Sequence, residues 1–153
     1  MNNYNLPDIY ADSNGLFEDI NQFRCACRPN GHRIIREGLN DIDEGLRDIR
    51  EGLGDITRGN RHEGILDIRE GIRDIEEGQR DVIRGLRTLR FVGNPRLIRK
   101  GLIDIDEGLR DVREGLVDII NCNTREGMRD ILEGTRDIEE GQEDIIRGLR
   151  RIC

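Results

Sequence analysis

The stretch GLNDIDEGLRDIREGLGDI, residues 38–56, decides the fold class of this chain. Its apolar residues follow one another at alternating spacings of three and four, at Leu39, Ile42, Leu46, Ile49, Leu53 and Ile56. This is the heptad pattern of a helix that packs against other helices, with Leu at position a and Ile at position d. A strand would need apolar residues at every second position. The stretch therefore predicts a long amphipathic helix.

The heptad unit belongs to a larger internal duplication. Residues 35–90 align without a gap to residues 98–153 at an offset of 63, and 38 of these 56 positions are identical. Helix-end signals interrupt the pattern: Asn60 and Asn123 each precede a Glu by three residues, which predicts capping boxes. Asn94 followed by Pro95 predicts a third helix start. We therefore predict helices over residues 33–58, 61–91, 95–121 and 124–152.

Short loops between these helices make each helix antiparallel to the next. The predicted fold is an all-α antiparallel four-helix bundle, built from two duplicated helical hairpins with Gly-containing heptad repeats, plus an N-terminal arm. The predicted organisation is an arm over residues 1–32, a first hairpin over 33–91 and a second hairpin over 95–153, both hairpins forming one bundle domain.

Composition narrows the function classes. The chain has 153 residues, a formal net charge of −7 and 37% charged residues. No apolar run approaches the roughly 18 residues of a membrane span, so we expect no membrane insertion, and residues 1–30 lack the features of a signal peptide. An acidic chain with interleaved charges gives no reason to expect nucleic-acid binding. His32 and His62 fall at opposite bundle ends with no catalytic grouping, so we expect no enzyme activity and no cofactor.

Glycine is the unusual feature of the heptads. Fourteen glycines share position g, where each costs about 1 kcal/mol relative to Ala inside a helix. Close approach of neighbouring helices would offset this cost, and an alternative is that glycine rows face other subunits. The glycines predicted to serve close helix packing are Gly38, Gly45, Gly52, Gly71, Gly78, Gly101, Gly108, Gly115, Gly134 and Gly141.

Two polar residues interrupt the apolar seam. Gln79 and Gln142 replace Leu at matching a positions of the two copies. A single polar residue in a helix seam usually specifies register and partner choice, at some cost in stability. We assign both residues to register, the alternative being that each marks a partly exposed end of the seam.

The first 32 residues differ in composition from the repeats. This arm contains four of the five aromatic residues of the chain. It either folds back on its own bundle or docks onto another subunit, and disorder is the third alternative. The residues predicted to dock are Tyr4, Tyr10, Leu16, Phe17, Ile20 and Phe23.

The four cysteines fall at opposite ends of the predicted bundle. Cys25 and Cys27 precede the first helix and Cys153 ends the fourth, whereas Cys122 lies in the loop between the third and fourth helices. A helix of that length separates its ends by roughly 40 Å, and disulfide Cα atoms lie within about 7 Å. We predict that these four cysteines form inter-subunit disulfides, which suits an open, head-to-tail filament of identical subunits.

Two other interpretations of the cysteines stay open. The thiols could be free in a cytosolic protein, or Cys153 could pair locally with Cys25 or Cys27 and leave Cys122 unpaired. Alternatively, Cys25, Cys27 and His32, with or without Cys153, could bind a metal ion. The Cys-x-Cys spacing is less typical of zinc sites than Cys-x₂-Cys.

The arm with its Cys25-Ala-Cys27 sequence resembles the N-terminal connector of endospore appendage subunits, which places Cys next to a neighbour's Cys. The resemblance covers only the arm, because those subunits are β-folded. It implies a self-assembling bacterial spore- or cell-surface filament, assembled without a signal peptide and joined by disulfides. The alternatives are a soluble cytoplasmic helical-bundle interaction module and a Cys/His metal-binding protein.

Overall fold

The computed structural model describes residues 29–89 and 93–150 and contains four helices. They are α1 (Pro29–Arg58), α2 (Arg61–Thr88), α3 (Pro95–Ile120) and α4 (Thr124–Leu149). The described residues contain no strand. The helices α1 and α2 form one hairpin, α3 and α4 form the other, and the two hairpins make an all-α four-helix bundle. This confirms the predicted fold class.

Four of the eight helix boundaries, at residues 58, 61, 95 and 124, match the prediction, and the other four differ from it by one to four residues. The first helix begins at Pro29, where the absent N–H costs nothing, and not at residue 33. Gly31 lies seven residues before Gly38 and already packs against α2, so the glycine register itself extends into the predicted arm. Leu89 takes extended backbone and ends α2 at Thr88, three residues earlier than predicted. The helices α3 and α4 end one and three residues early.

The two predicted capping boxes are wrong. Neither Asn60 nor Asn123 makes a side-chain cap hydrogen bond. Each backbone N–H instead donates to a carbonyl at the end of the preceding helix, Asn60 to Asp55 O and Asn123 to Asp118 O, both at 2.8 Å. Both residues therefore close a Schellman-type turn, and their backbone is not in the extended conformation that a capping side chain needs. Asn94 does cap α3, accepting from Leu97 N at 3.2 Å.

Within each hairpin the two helices pack backbone against backbone at glycine positions. A Cβ built at Gly52 would lie 2.6 Å from Gly64 O, which is closer than real Cβ contacts allow. The same arrangement recurs along both hairpins in antiparallel register, in the pairs Gly38/Gly78, Gly45/Gly71, Gly52/Gly64, Gly101/Gly141, Gly108/Gly134 and Gly115/Gly127. The helix interiors thus approach more closely than any side chain at position g would permit.

Between hairpins, by contrast, side chains separate the helices. The Ile and Leu residues at positions a and d of all four helices form one continuous buried cluster. Polar bonds set the register at its edge: Arg50 of α1 pairs with Glu139 of α4, and Arg113 of α3 pairs with Glu76 of α2. The two ion pairs are equivalent, because Arg113 matches Arg50 and Glu139 matches Glu76 at the offset of 63 residues. The bundle is therefore pseudo-two-fold symmetric, with every neighbouring pair of helices antiparallel.

Candidate functional site

One end of the bundle carries the two hairpin loops, residues 59–60 between α1 and α2 and residues 121–123 between α3 and α4. Arg61, the first residue of α2, connects them: its Nη2 donates to Ile119 O and, at 3.0 Å, to Ile120 O. A guanidinium at the last carbonyls of a helix also suits the negative end of the helix dipole. At the opposite end, Asn94 N donates to Gly148 O at 2.8 Å. The described chain therefore begins and ends at one end of the rod, and the loops lie at the other.

Cys122 occupies a conformation that normally favours glycine. Its φ is +72°, and the matching residue of the first hairpin is Gly59, with φ +94°. The turn hydrogen bonds are the same in both hairpins, Cys122 N to Ile119 O and Gly59 N to Ile56 O, each at 3.1 Å. A residue with a Cβ is disfavoured by about 1–2 kcal/mol in this region. Conformation alone would therefore favour Gly over Cys at position 122.

The Cys122 thiol is accessible. The residue is exposed and forms no disulfide with another described residue. Arg61 Nη1 lies 3.6 Å from its Sγ, so the sulfur is held between the two loops. A shallow open depression adjoins it, lined by Cys122, Asn123, Thr124, Arg125, Glu126 and Arg129. The sulfur can thus meet a thiol brought by another chain.

The other cysteines of the same chain cannot reach Cys122. Helix α1 has 30 residues and α4 has 26, so they are roughly 45 Å and 39 Å long. Cys27 precedes Pro29 by two residues and Cys25 by four, which allows spans of at most about 7 Å and 14 Å. Cys153 follows Arg150 by three residues, a span of at most about 11 Å. Any disulfide of Cys122 with these cysteines would therefore join two chains.

Aliphatic side chains are exposed near Cys122. Leu66 is 45% exposed, Val117 55% and Ile120 42%. Val117 lies five residues before Cys122 on α3, and Leu66 lies five residues after Arg61 on α2, about 7.5 Å of helix rise in each case. Positions e of α2 and α3 face each other, as the Glu76–Arg113 pair shows. Ile120 occupies position e, and Leu66 and Val117 occupy position b on the same side. We call these three residues the α2/α3 patch.

The patch has no counterpart in the groove between α1 and α4, which is the equivalent contact between the two hairpins. The matching residues between α1 and α4 are Arg129, Gly54 and Thr57. Two further exposed aliphatic residues, Ile103 and Leu132, also replace polar residues of the first copy, Asn40 and Arg69. Our sequence prediction missed the patch and Arg61. Comparing the two aligned copies would have shown that Leu66, Val117 and Ile120 replace non-aliphatic residues.

The structure places the predicted register residues at equivalent interhairpin contacts. Gln142 is buried, and its Nε2 donates to Leu39 O at 3.1 Å and to Asp43 Oδ1 at 2.9 Å. Gln79 Nε2 donates to Leu102 O at 3.3 Å and to Asp106 Oδ1 at 2.8 Å. Each glutamine therefore joins its hairpin to the other one. The ten predicted packing glycines all lie at the interfaces within the hairpins.

The remaining predicted site residues lie outside the described residues. These are the docking residues Tyr4, Tyr10, Leu16, Phe17, Ile20 and Phe23, together with Cys25, Cys27 and Cys153. Of the metal-binding alternative, only His32 is described; it is half-buried, and burial lowers its pKa. Residues 29–89 and 93–150 contain no group of three or more His, Cys, Asp or Glu side chains that could hold a metal ion.

Carboxylates line the groove between the two helices of each hairpin. In the first hairpin, Asp41, Glu44, Asp74 and Glu77 border one shallow depression. Burial, and then the neighbouring carboxylates, raise the pKa of four aspartates above the usual 3.8, namely Asp41, Asp48, Asp67 and Asp137. Between pH 3.8 and the raised pKa of each aspartate, the folded protein binds more protons than the unfolded chain. The free energy of unfolding therefore falls as pH rises through this range.

In the second hairpin one cation, Lys100, reduces the repulsion between the carboxylates. Lys100 Nζ donates to Asp104 Oδ2 and to Asp144 Oδ2, both at 2.7 Å. These hydrogen bonds raise the pKa of Lys100. The first copy has Glu37 at the matching position. Asp144 is the only buried charged residue among the described residues, and its Oδ1 also lies 3.5 Å from Arg147 Nη1.

None of the four described helices is long and apolar enough to cross a membrane. Compared with protein-family models, with curated proteins and with solved structures, the chain shows no match.

Proposed function

We propose that this protein is a self-assembling structural subunit of an extracellular or spore-surface helical filament. Subunits join head to tail through the N-terminal arm and inter-subunit disulfides. The observation that carries the proposal is the position of Cys122, exposed at the end of the rod farthest from where the described chain begins and ends. A contact between opposite ends of identical subunits continues indefinitely when it does not close into a ring.

The conformation of Cys122 supports the same function. A Cys at φ +72° is less favourable than the Gly of the first copy, yet the thiol stands exposed beside Arg61. Cross-linking requires an oxidant: two thiols lose two protons and two electrons, which oxidised glutathione accepts as it becomes two glutathione thiols. Disulfides persist in oxidising surroundings, which favours an extracellular or spore-surface location for the filament.

The first experiment is negative-stain electron microscopy of the unreduced protein, with gels run with and without reductant. We expect long fibres and a covalent ladder that collapses to monomer on reduction. Discrete small particles, with one monomer band in both lanes, would overturn the proposal. They would favour the helical-bundle interaction module instead.

Complementary variants test the predicted linkage. Two variants are made, both carrying Cys153→Ser. The first also carries Cys122→Ser, and the second also carries Cys25→Ser and Cys27→Ser. Neither variant should form covalent multimers on its own. Mixed in equal amounts, they should form a covalent dimer and nothing larger, because each chain retains one half of the link. Helicity should stay nearly unchanged in all of them, since Cys122 lies in a loop and the other three cysteines lie outside the described residues. A ladder from either variant alone would contradict the head-to-tail link.

A further inference from the structure

We propose that the α2/α3 patch is the docking surface for the arm of a second copy of this chain, specifically for its residues 16–23. This inference rests on the proposed function, because it names the surface at which the head-to-tail contact forms. The patch comprises Leu66, Val117 and Ile120, each between 42% and 55% exposed.

Internal symmetry shows that the fold does not need apolar residues there. The equivalent groove between α1 and α4 forms the matching interhairpin bond with Arg129, Gly54 and Thr57 at the matching positions. Exposed aliphatic residues at one of two equivalent grooves therefore add nothing to bundle packing. Clustered beside the accessible Cys122, they supply an apolar contact at the end where another subunit would attach.

The spacing of the arm matches the spacing of the patch. Cα atoms of disulfide-bonded cysteines lie about 5.5 Å apart. Phe23 precedes Cys25 by two residues and Ile20 by five, which allows spans of up to about 7 Å and 18 Å. Val117 lies about 7.5 Å from Cys122 along α3. In a second chain whose Cys25 meets Cys122, Phe23 and Ile20 are therefore within reach of the patch.

Phe23 of the chain's own arm cannot make this contact. Val117 lies 22 residues along α3 from Pro95, about 33 Å from the end at which α1 begins. Phe23 precedes Pro29 by six residues and can span at most about 22 Å from it. Phe23 at the patch therefore belongs to another molecule.

The decisive experiment is photo-cross-linking in the full chain. Phe23 is replaced by the photoreactive benzoylphenylalanine in chains with Cys25→Ser and Cys27→Ser, so that no disulfide is needed for docking. Equal amounts of ¹⁴N- and ¹⁵N-labelled chains are mixed, irradiated and mapped by mass spectrometry. We expect mixed-isotope cross-links between residue 23 and peptides that contain Leu66 or residues 117–120. Cross-links to another surface, links within one chain only, or no cross-links would overturn the inference.

Two matched variants exchange exposed aliphatic residues for the matching residues of the other copy. Leu66→Arg with Ile120→Thr should reduce the cross-link yield by about tenfold or more, because the apolar contact is lost. The control, Ile103→Asn with Leu132→Arg, changes equally exposed residues outside the patch and should leave the yield unchanged. Circular dichroism confirms that both variants stay folded. Equal yields from the two variants would contradict the assignment.

Failure of the docking inference is distinguishable from failure of the filament proposal. Fibres and a reducible ladder, together with cross-links elsewhere than the patch, would refute the docking surface and leave the filament standing. Mixed-isotope cross-links at the patch, together with closed particles and no fibres, would refute the filament and leave the docking surface standing.

Discussion

Replacing Gly115 with Ala should destabilise the protein, although Ala is the better helix former. The added Cβ would lie 2.5 Å from Gly127 O and 2.8 Å from Ile131 Cγ1. Ordinary contacts begin near 3.4 Å, so α3 and α4 would have to separate by about 0.9 Å. The glycine pair Gly108/Gly134 holds the same close spacing one heptad away, so the helices cannot separate at one point alone.

Two contributions to the free energy of unfolding oppose each other, and the cost of overpacking exceeds the gain in helix propensity. Overpacking costs about 1–3 kcal/mol, and contact with a helix backbone rather than a flexible side chain favours the upper value. The higher helix propensity of Ala returns about 1 kcal/mol. The net loss is about 2 kcal/mol, which lowers the Tm of a chain of this size by about 4–8 °C.

Gly54→Ala is the matched control. Its Cβ would meet only the mobile end of the Arg58 side chain, at 3.4 Å from Nη1. The propensity gain of about 1 kcal/mol is then unopposed, and Tm should rise by about 2–4 °C. Thermal and urea unfolding of reduced protein, followed by circular dichroism, measure both variants. If Gly115→Ala raises Tm as Gly54→Ala does, the close backbone approach within the hairpins is refuted.

Three further predictions concern charge and register. Because the raised pKa of Asp41 penalises its ionised form, Asp41→Asn should raise Tm at pH 7 but not near pH 4, and an equal change of Tm at the two pH values would contradict this. Lys100→Gln should lower Tm at pH 7 by removing a cation from the buried Asp144, and less so in acid, which thermal scans at both pH values can test. Gln142→Leu with Gln79→Leu should keep the helicity but broaden the amide NMR signals through alternative hairpin registers, and a single sharp set of signals would argue against the register role.

The duplication explains why part of the candidate site was predictable and part was not. Cys122 was recognisable from sequence because it interrupts a repeat, and the length of the helices then placed it away from the other cysteines. Its left-handed conformation could be anticipated from Gly59, the matching residue of the first copy. The contact of Arg61 with Ile120 O crosses between hairpins, so no pattern within either copy indicates it.

The helix ends show a similar division. The sequence correctly predicted that Asn94 and Pro95 start α3, because that cap depends on adjacent residues alone. It also predicted the starts of α2 and α4 correctly, but the capping boxes at Asn60 and Asn123 do not form, because the backbone N–H of each residue donates to the end of the preceding helix. Local signals compete at short loops, and the three-dimensional path of the chain decides which one prevails.

The sequence by itself determined that the chain forms four amphipathic helices in two similar hairpins, because a heptad period and a 63-residue duplication are properties of residue order. Only the tertiary structure decided which interfaces are tight and which are wide. Glycines at position g allow backbone contact within a hairpin, whereas Ile and Leu side chains hold the hairpins apart. Tertiary structure also decided which aliphatic residues stay in solvent, since the exposure of a side chain depends on neighbours that are distant in the chain.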